Sequence, residues 1–191
     1  MGACQDWLRP TGDTANQEKT CETCGNADCP EKAPFRIVAF DRKWLIRNTG
    51  TLSDMIGLWK QLDEVDAVCD AQDGLRMAEV DDEYFRDRLV GDSGYLAFST
   101  EDDSLIGMVS NTLSEDHENG YYCCRLVVDK DHRRQGVGEA LMRRVLHANR
   151  DKGARTFLGC SAHNEAALAL YRKLGFRPTA YTLVDQEEAN Q

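Results

Sequence analysis

At 191 residues the chain has room for one domain with a sizeable core plus an appendage, and is short for two full domains. Its 23 basic residues against 33 acidic ones give a formal charge of −10, which argues against nucleic acid as a partner and suits a cationic one. No run approaches the roughly 18 apolar residues of a membrane span, and residues 1–10 lack the basic and apolar regions of a secretory signal, so the expectation is a cytoplasmic protein off the membrane.

The chain opens with a Cys-rich segment, residues 1–34, ahead of a main domain expected over 35–191. Four of the eight cysteines, Cys4, Cys21, Cys24 and Cys29, lie in this segment, which is otherwise polar and cannot fold by apolar burial alone. Cys21, Cys24 and Cys29 form Cys-x2-Cys-x4-Cys, and with Cys4 they could hold zinc or an iron–sulfur cluster; a flexible thiol-bearing tail is the alternative. Cys69, Cys123, Cys124 and Cys160 lie in apolar runs, where a small buried thiol is the ordinary expectation.

Residues 35–40 and 44–47 read as short strands around a polar turn. Leu52, Met55, Ile56, Trp59 and Leu62 recur at helical spacing, which predicts an amphipathic helix capped by Thr51 or Ser53, with Trp59 as a core anchor. Asp73 and Gly74 mark a turn, and a second helix is expected from Asp81 with Val80 and Phe85 as a hydrophobic staple. Residues 95–99 and 105–113 predict a hairpin around the acidic turn Glu101, Asp102 and Asp103. A polar loop over 114–120 leads to the next antiparallel strand, 121–128, whose side chains should alternate between faces. Val137, Leu141, Val145 and Ala148 make a helix stripe, and 156–161 reads as another strand. Ala167, Leu170, Tyr171 and Leu174 share one face of a last helix, capped by Asn164 and ended by Gly175, with a final strand over 181–184.

The most informative stretch joins the strand ending at Val128 to the helix starting at Val137 through Arg133, Arg134, Gln135, Gly136, Val137 and Gly138. Unpaired N–H groups in the first turn of such a helix, aided by its dipole, make an anion cradle. Glycines let the backbone approach both ligand and strand closely. No Lys-Ser/Thr pair follows the second Gly, which excludes a P-loop, and Leu141 stands where a dinucleotide fingerprint needs a third Gly.

The segment LVVDKDHRRQGVGEALM, from Leu126 to Met142, resembles the acetyl-coenzyme A binding motif of the GNAT superfamily of N-acetyltransferases. NEAALALYRKLGF, from Asn164 to Phe176, resembles the helix that follows it, with its Asn, its Tyr and the closing Leu-Gly-Phe. The likeness spans roughly residues 44–184 and is nearest the branch that includes protein N-terminal alanine acetyltransferases. It implies an α/β (α+β) fold with a mixed, mostly antiparallel central sheet flanked by helices. It also implies acetyl-CoA as cosubstrate and transfer of its acetyl group to a primary amine by direct attack in a ternary complex. The acceptor is a small molecule or a protein N-terminus, and oligomeric state stays open.

By the same resemblance, backbone groups of Leu126, Val127 and Val128 pair with pantetheine, and the N–H of Val128 serves the oxyanion. N–H groups from Arg134, Gln135, Gly136, Val137, Gly138 and Glu139 hold the pyrophosphate, with charge added by Arg133 and Arg134. Asn164 contacts the pantetheine arm, and Tyr171 protonates the departing thiolate. The branch's basic Glu, five residues before the Asn, is here Gly159. A lysine-like amine costs about 4.6 kcal/mol to neutralise at pH 7 and an α-amine only about 1.4 kcal/mol, so the former needs a carboxylate. Glu115, Asp116, His117 and Glu118, in the loop before the central strand, are candidates, and Cys124 faces the cleft only if its strand places it there. A second function remains open: a catalytically weak acetyl-CoA sensor or metal-linked interaction module, motivated by Gly159 and the Cys-rich arm.

Overall fold

The computed structural model describes residues 33–72, 81–114 and 119–180. Cys4, Cys21, Cys24 and Cys29, the turn at Asp73 and Gly74, Val80 of the expected staple, the loop residues Glu115, Asp116, His117 and Glu118, and the strand expected over 181–184 lie outside these residues.

Four strands, β1 (Phe35–Phe40), β2 (Ser93–Ser99), β3 (Leu105–Leu113) and β4 (Gly120–Val128), pair antiparallel in chain order. A fifth, β5 (Arg155–Phe157), adds to β4 in parallel. A parallel step needs a crossover, and α4 (Val137–Asp151) supplies it. Between β1 and β2 run α1 (Arg42–Arg47), α2 (Thr49–Gln72) and α3 (Asp82–Gly91), and α5 (Glu165–Lys173) follows β5. The expected mixed, mostly antiparallel sheet flanked by helices is the fold that forms. Among the described residues, no helix is long and apolar enough to cross a membrane.

Strand alternation gives each sheet face its own core. On one face Leu96, Phe98, Met108 and Val127 pack with Met55, Ile56 and Trp59 of α2 and Phe85 and Leu89 of α3. On the other, Ala97, Ile106, Val109 and Cys123 pack under Val137, Leu141, Met142 and Val145 of α4. Met55 and Leu141 are fully buried, and each such side chain contributes about 1.5–3 kcal/mol of transfer free energy. Trp59 is the core anchor that its spacing predicts.

Two bulges break the alternation. The β2–β3 register passes from Ala97↔Gly107 to Phe98↔Leu105, leaving Ile106 extra, and the β3–β4 register passes from Ser110↔Arg125 to Asn111↔Cys123, leaving Cys124 extra. Strict alternation along β4 therefore fails at Cys124, and a bulge there bends the strand.

Three expected boundaries are corrected. Residues 44–47 are helical, because the Asp41 carboxylate accepts from the Trp44 N–H at 2.7 Å and caps a turn that buries Leu45 while leaving Ile46 exposed. The long helix starts at Thr49 rather than after Thr51 or Ser53, since the Thr51 N–H already donates to the Asn48 carbonyl. The strand expected over 156–161 ends at Phe157, because β4 turns away at its bulge and offers no further pairing. Cys124 and Cys160 are only half-buried, unlike the buried Cys69 and Cys123.

Candidate active site

The β4–β5 ladder runs from Gly120↔Arg155 to Tyr122↔Phe157 and stops. Beyond it, no described strand pairs with the outer edge of β4, so the backbone through Leu126, Val127 and Val128 borders a gap. Unpaired strand groups template an extended partner, which can be a ligand as well as another strand. Past Val128 the chain is pinned back: the Asp129 N–H donates to the Ile106 carbonyl, and the Arg133 guanidinium donates to the Val128 carbonyl at 3.1 Å.

The turn then delivers the first N–H groups of α4 to the end of this gap. Arg134 has φ +66° and Gly136 φ +84°, and the helix carries no side-chain cap. The left-handed conformation costs a non-Gly residue roughly 1 kcal/mol, so Arg134 holds local strain and Gly136 avoids it. The Ala140 N–H is spent on the Gly136 carbonyl, which leaves the earlier N–H groups as the orphan donors of a helix N-terminus. Gly138 behaves differently from expectation. A Cβ there would meet Val128 Cγ2 at 3.5 Å and Leu170 Cδ2 at 3.6 Å, ordinary contacts, so approach to the strand does not require its glycine. Glu139 accepts from Lys173 at 2.5 Å and from Arg143 at 2.7 Å, and these bonds hold its carboxyl below the usual range.

A cleft of about 610 Å³ adjoins the cradle, lined by Gln61, Val65 and Cys69 of α2 with Lys130, Arg133 and Asn164. The Asn164 carboxamide oxygen accepts from the Ala167 N–H at 3.1 Å, so this residue caps α5 and lines the cleft together. Gln61 clamps α2 to the turn: its amide donates to the Asp129 carboxylate at 3.0 Å and accepts from the Lys130 N–H at 3.1 Å. Burial works to raise the Asp129 carboxyl, but bonds from Gln61, His132 and the Asp131 N–H together hold it below its ordinary value. Nothing in the sequence marked Gln61, whose partners lie on another element.

On α5, Tyr171 is half-buried against the core that contains Cys123 and stands edge-on to Phe176 at 5.8 Å between ring centroids. Burial first, then Cys123, Cys160 and Asp66, push its hydroxyl well above the tyrosine range, so it is a protonated donor at neutral pH. Burial pushes the Cys123 thiol up to about 12 and raises Cys124 and Cys160, so none is set up as a thiolate nucleophile. Gly159 offers no side chain, and a Cβ there would lie 2.7 Å from the Tyr122 hydroxyl, which occupies that space. Burial leads the upward shift of this phenol as well.

The bulge that opens the gap is itself anchored. Arg125, beside Cys124, forms an ion pair with Asp92 in which both side chains are only 10% exposed. It also donates to the Ser110 hydroxyl at 3.1 Å and lies 3.8 Å over the Trp59 ring. An arginine inside an otherwise apolar strand was the one sequence signal of this network. Among the described residues no group of three or more His, Cys, Asp or Glu could hold a metal ion.

Residues 58–176, well over half of the chain, match the model of the acetyltransferase (GNAT) family. Human N-acetyltransferase 8 is 34% identical over 107 residues, 54% of this chain and 45% of that protein. The ribosomal protein bS18 alanine N-acetyltransferase of Escherichia coli K12 is 42% identical over 52 residues, 27% of this chain and 35% of that protein. The chain thus matches less than half the length of either curated relative. Among solved structures, aminoglycoside N-acetyltransferase AAC(6')-Iy in complex with CoA superposes with a TM-score of 0.59 at 17% identity, over 84% of this chain and 99% of its own. Ribosomal-protein-alanine N-acetyltransferase from Brucella melitensis biovar Abortus 2308 gives 0.55 at 18% identity, over 80% and 99%. At these identities the structures speak to the fold alone. A family match that runs through the open strand edge, the uncapped turn and the tyrosine helix leaves one conclusion: the chain belongs to the GNAT acetyltransferase family.

Proposed function

We propose that this protein transfers the acetyl group of acetyl-CoA to a primary amine. The observation that carries the proposal is the continuity of the unpaired edge of β4, at Leu126, Val127 and Val128, with the uncapped N-terminus of α4. An extended pantetheine arm would pair with the first, and the pyrophosphate would sit on the N–H groups between Arg134 and Glu139. Lys130 and Arg133 add positive charge at the cleft. With the nearby thiols held protonated, attack by the amine directly on the thioester is the reading that fits. Tyr171 then protonates the departing sulfur; because its pKa exceeds that of a thiol near 8.5, this transfer is uphill and coupled to C–S cleavage.

Acceptors named for the relatives are a ribosomal-protein alanine and aminoglycosides. For this chain we infer the broader class, amines that arrive as cations, from the formal charge of −10. Residence in the cytoplasm, with its acetyl-CoA, belongs to the same proposal. The test is mass spectrometry of an Ala-initial peptide, neamine and spermine after incubation with protein and acetyl-CoA, beside Tyr171→Phe. Products of +42 Da per acetyl that fall about 10²-fold or more in the variant support the proposal. Acetyl-CoA binding without any product would instead favour a cofactor-sensing module.

A further inference from the structure

The segment from Asp129 to Arg133 joins the open edge of β4 to the turn that starts α4. Its shape therefore fixes where the first N–H groups of that helix stand relative to Leu126, Val127 and Val128. Much of its bonding is internal. The Asp129 carboxylate accepts from the Asp131 N–H at 3.0 Å and lies 2.9 Å from His132 Nδ1, and the His132 N–H donates to the Asp129 carbonyl at 2.9 Å. Internal bonds give a turn its form, but bonds from other elements set its place on the protein. One comes from β3, whose Ile106 carbonyl accepts from the Asp129 N–H at 2.9 Å. Two more come from a single side chain of α2, Gln61. We propose that Gln61 is a positioning residue for acetyl-CoA, holding this turn so that the N–H groups of α4 meet the pyrophosphate; this rests on the acetyl-CoA reading above.

The chemistry of the side chain suits the task. Gln61 Nε2 donates to Asp129 Oδ2 at 3.0 Å while Oε1 accepts from the Lys130 N–H at 3.1 Å. A carboxamide offers a donor and an acceptor side by side without charge. The partners also decide which way round it lies, since the reverse would set its oxygen against the carboxylate and its NH2 against the N–H. The packing of α2 delivers it there. Met55, Leu58 and Trp59 are buried and Leu62 packs against the same core, which fixes the rotation of the helix. Gln61, three residues after Leu58, stands at the edge of that stripe, where it lines the cleft together with Lys130 and Arg133.

Two properties of the cradle make this hold matter. Just past the clamped turn, Arg134 has φ +66°, a conformation that a non-Gly residue keeps only where its surroundings impose it. Hydrogen bonds from backbone N–H groups to phosphate are directional as well, and weaken steeply as the donor swings out of line. A turn free to shift would have to be ordered by the ligand, at a cost in affinity. That cost falls on the pyrophosphate. The pantetheine arm is spared, because the groups proposed to pair with it belong to β4 itself.

Binding to the full chain tests the assignment with two ligands, acetyl-CoA by calorimetry and S-acetylpantetheine, which keeps the thioester arm without the pyrophosphate, by ligand-observed NMR. Gln61→Met keeps the length of the side chain and loses both bonds; it should raise the acetyl-CoA Kd about 10-fold or more and leave that of S-acetylpantetheine within about 2-fold. Hydrogen exchange at the Lys130 N–H should quicken in the same variant. Gln61→Glu alone sets a second carboxylate against Asp129 and should bind acetyl-CoA no better than Gln61→Met. The paired exchange Gln61→Glu/Asp129→Asn should recover most of the affinity. Its amide oxygen at 129 can keep the bonds from Asp131 and His132 while its NH2 donates to the carboxylate at 61, which still accepts from the Lys130 N–H. Wild-type acetyl-CoA affinity in Gln61→Met, an equal loss for both ligands, or no recovery in the paired exchange overturns the proposal. Failure of the wild type to bind acetyl-CoA overturns the acetyl-CoA reading instead, and exchange at Lys130 still decides whether Gln61 holds the turn.

Discussion

Three glycines separate the conformational demands of the fold from the demands of the ligand. Gly136 and Gly153 both have positive φ, at +84° and +69°, and an added Cβ would meet nothing within 4 Å at either. Alanine at each should therefore cost the same backbone strain, about 1 kcal/mol, or about 2–4 °C in Tm for a chain of this size. Gly153 sits past the far end of α4, remote from the cradle, and serves as control. Gly138 lies inside the first turn of α4 with no positive φ and ordinary contacts waiting for a Cβ, so Gly138→Ala should be neutral or gain up to about 1 kcal/mol. Binding should sort them otherwise. On the proposed binding mode a Cβ at 136 or 138 would displace phosphate oxygens from backbone N–H groups, and each charge-assisted hydrogen bond lost would cost about 1.5–3 kcal/mol, roughly 10- to 150-fold in Kd. Urea unfolding and calorimetric titration with acetyl-CoA read the two effects separately. Gly153→Ala should lose stability alone, Gly138→Ala affinity alone, and Gly136→Ala both. Wild-type affinity in Gly136→Ala and Gly138→Ala would refute the cradle, however the stabilities fell.

Breaking the pair that anchors the bulge should be severe: Arg125→Met strands the Asp92 carboxylate at 10% exposure and should cost about 3–5 kcal/mol in denaturant unfolding, partly recovered in Arg125→Met/Asp92→Leu. Glu139 has a folded pKa below its unfolded value, so its stabilisation is full above the usual glutamate pKa near 4.5 and is lost as pH falls through the lower folded value. The stability gap between wild type and Glu139→Gln, followed by thermal unfolding, should stay flat from pH 8 to 5 and close below that. For the N-terminal cysteines we propose metal binding through Cys4, Cys21, Cys24 and Cys29, to be read by elemental analysis after anaerobic purification. About one zinc, or stoichiometric iron and sulfide, is the expected result, lost when Cys21 and Cys24 become Ser.

Much of the cradle was legible because its causes are local. The strand, the turn and α4 follow one another without interruption, and the helix starts where Gly136 permits a left-handed step. Asp81 and Asn164 cap α3 and α5 as their positions predict, each accepting from an N–H three residues on. Residues 44–47 misled because Trp, Leu and Ile suit a strand as well as a helix over so short a span, and the Asp41 cap decided it. The early end of β5 was invisible for another reason: a strand's length depends on its partner, and β4 turns aside at a bulge held by Arg125, Asp92 and Ser110 from three elements.

By itself, then, the sequence determined the family and most of the elements in their order, the helix over 42–47 excepted, since each rests on contacts between residues near one another in the chain. Only the tertiary structure brought Gln61 to Asp129 and Tyr122 over Gly159. Those meetings depend on how α2 lies across the sheet and how far β4 parts from β5, and packing of distant elements sets both.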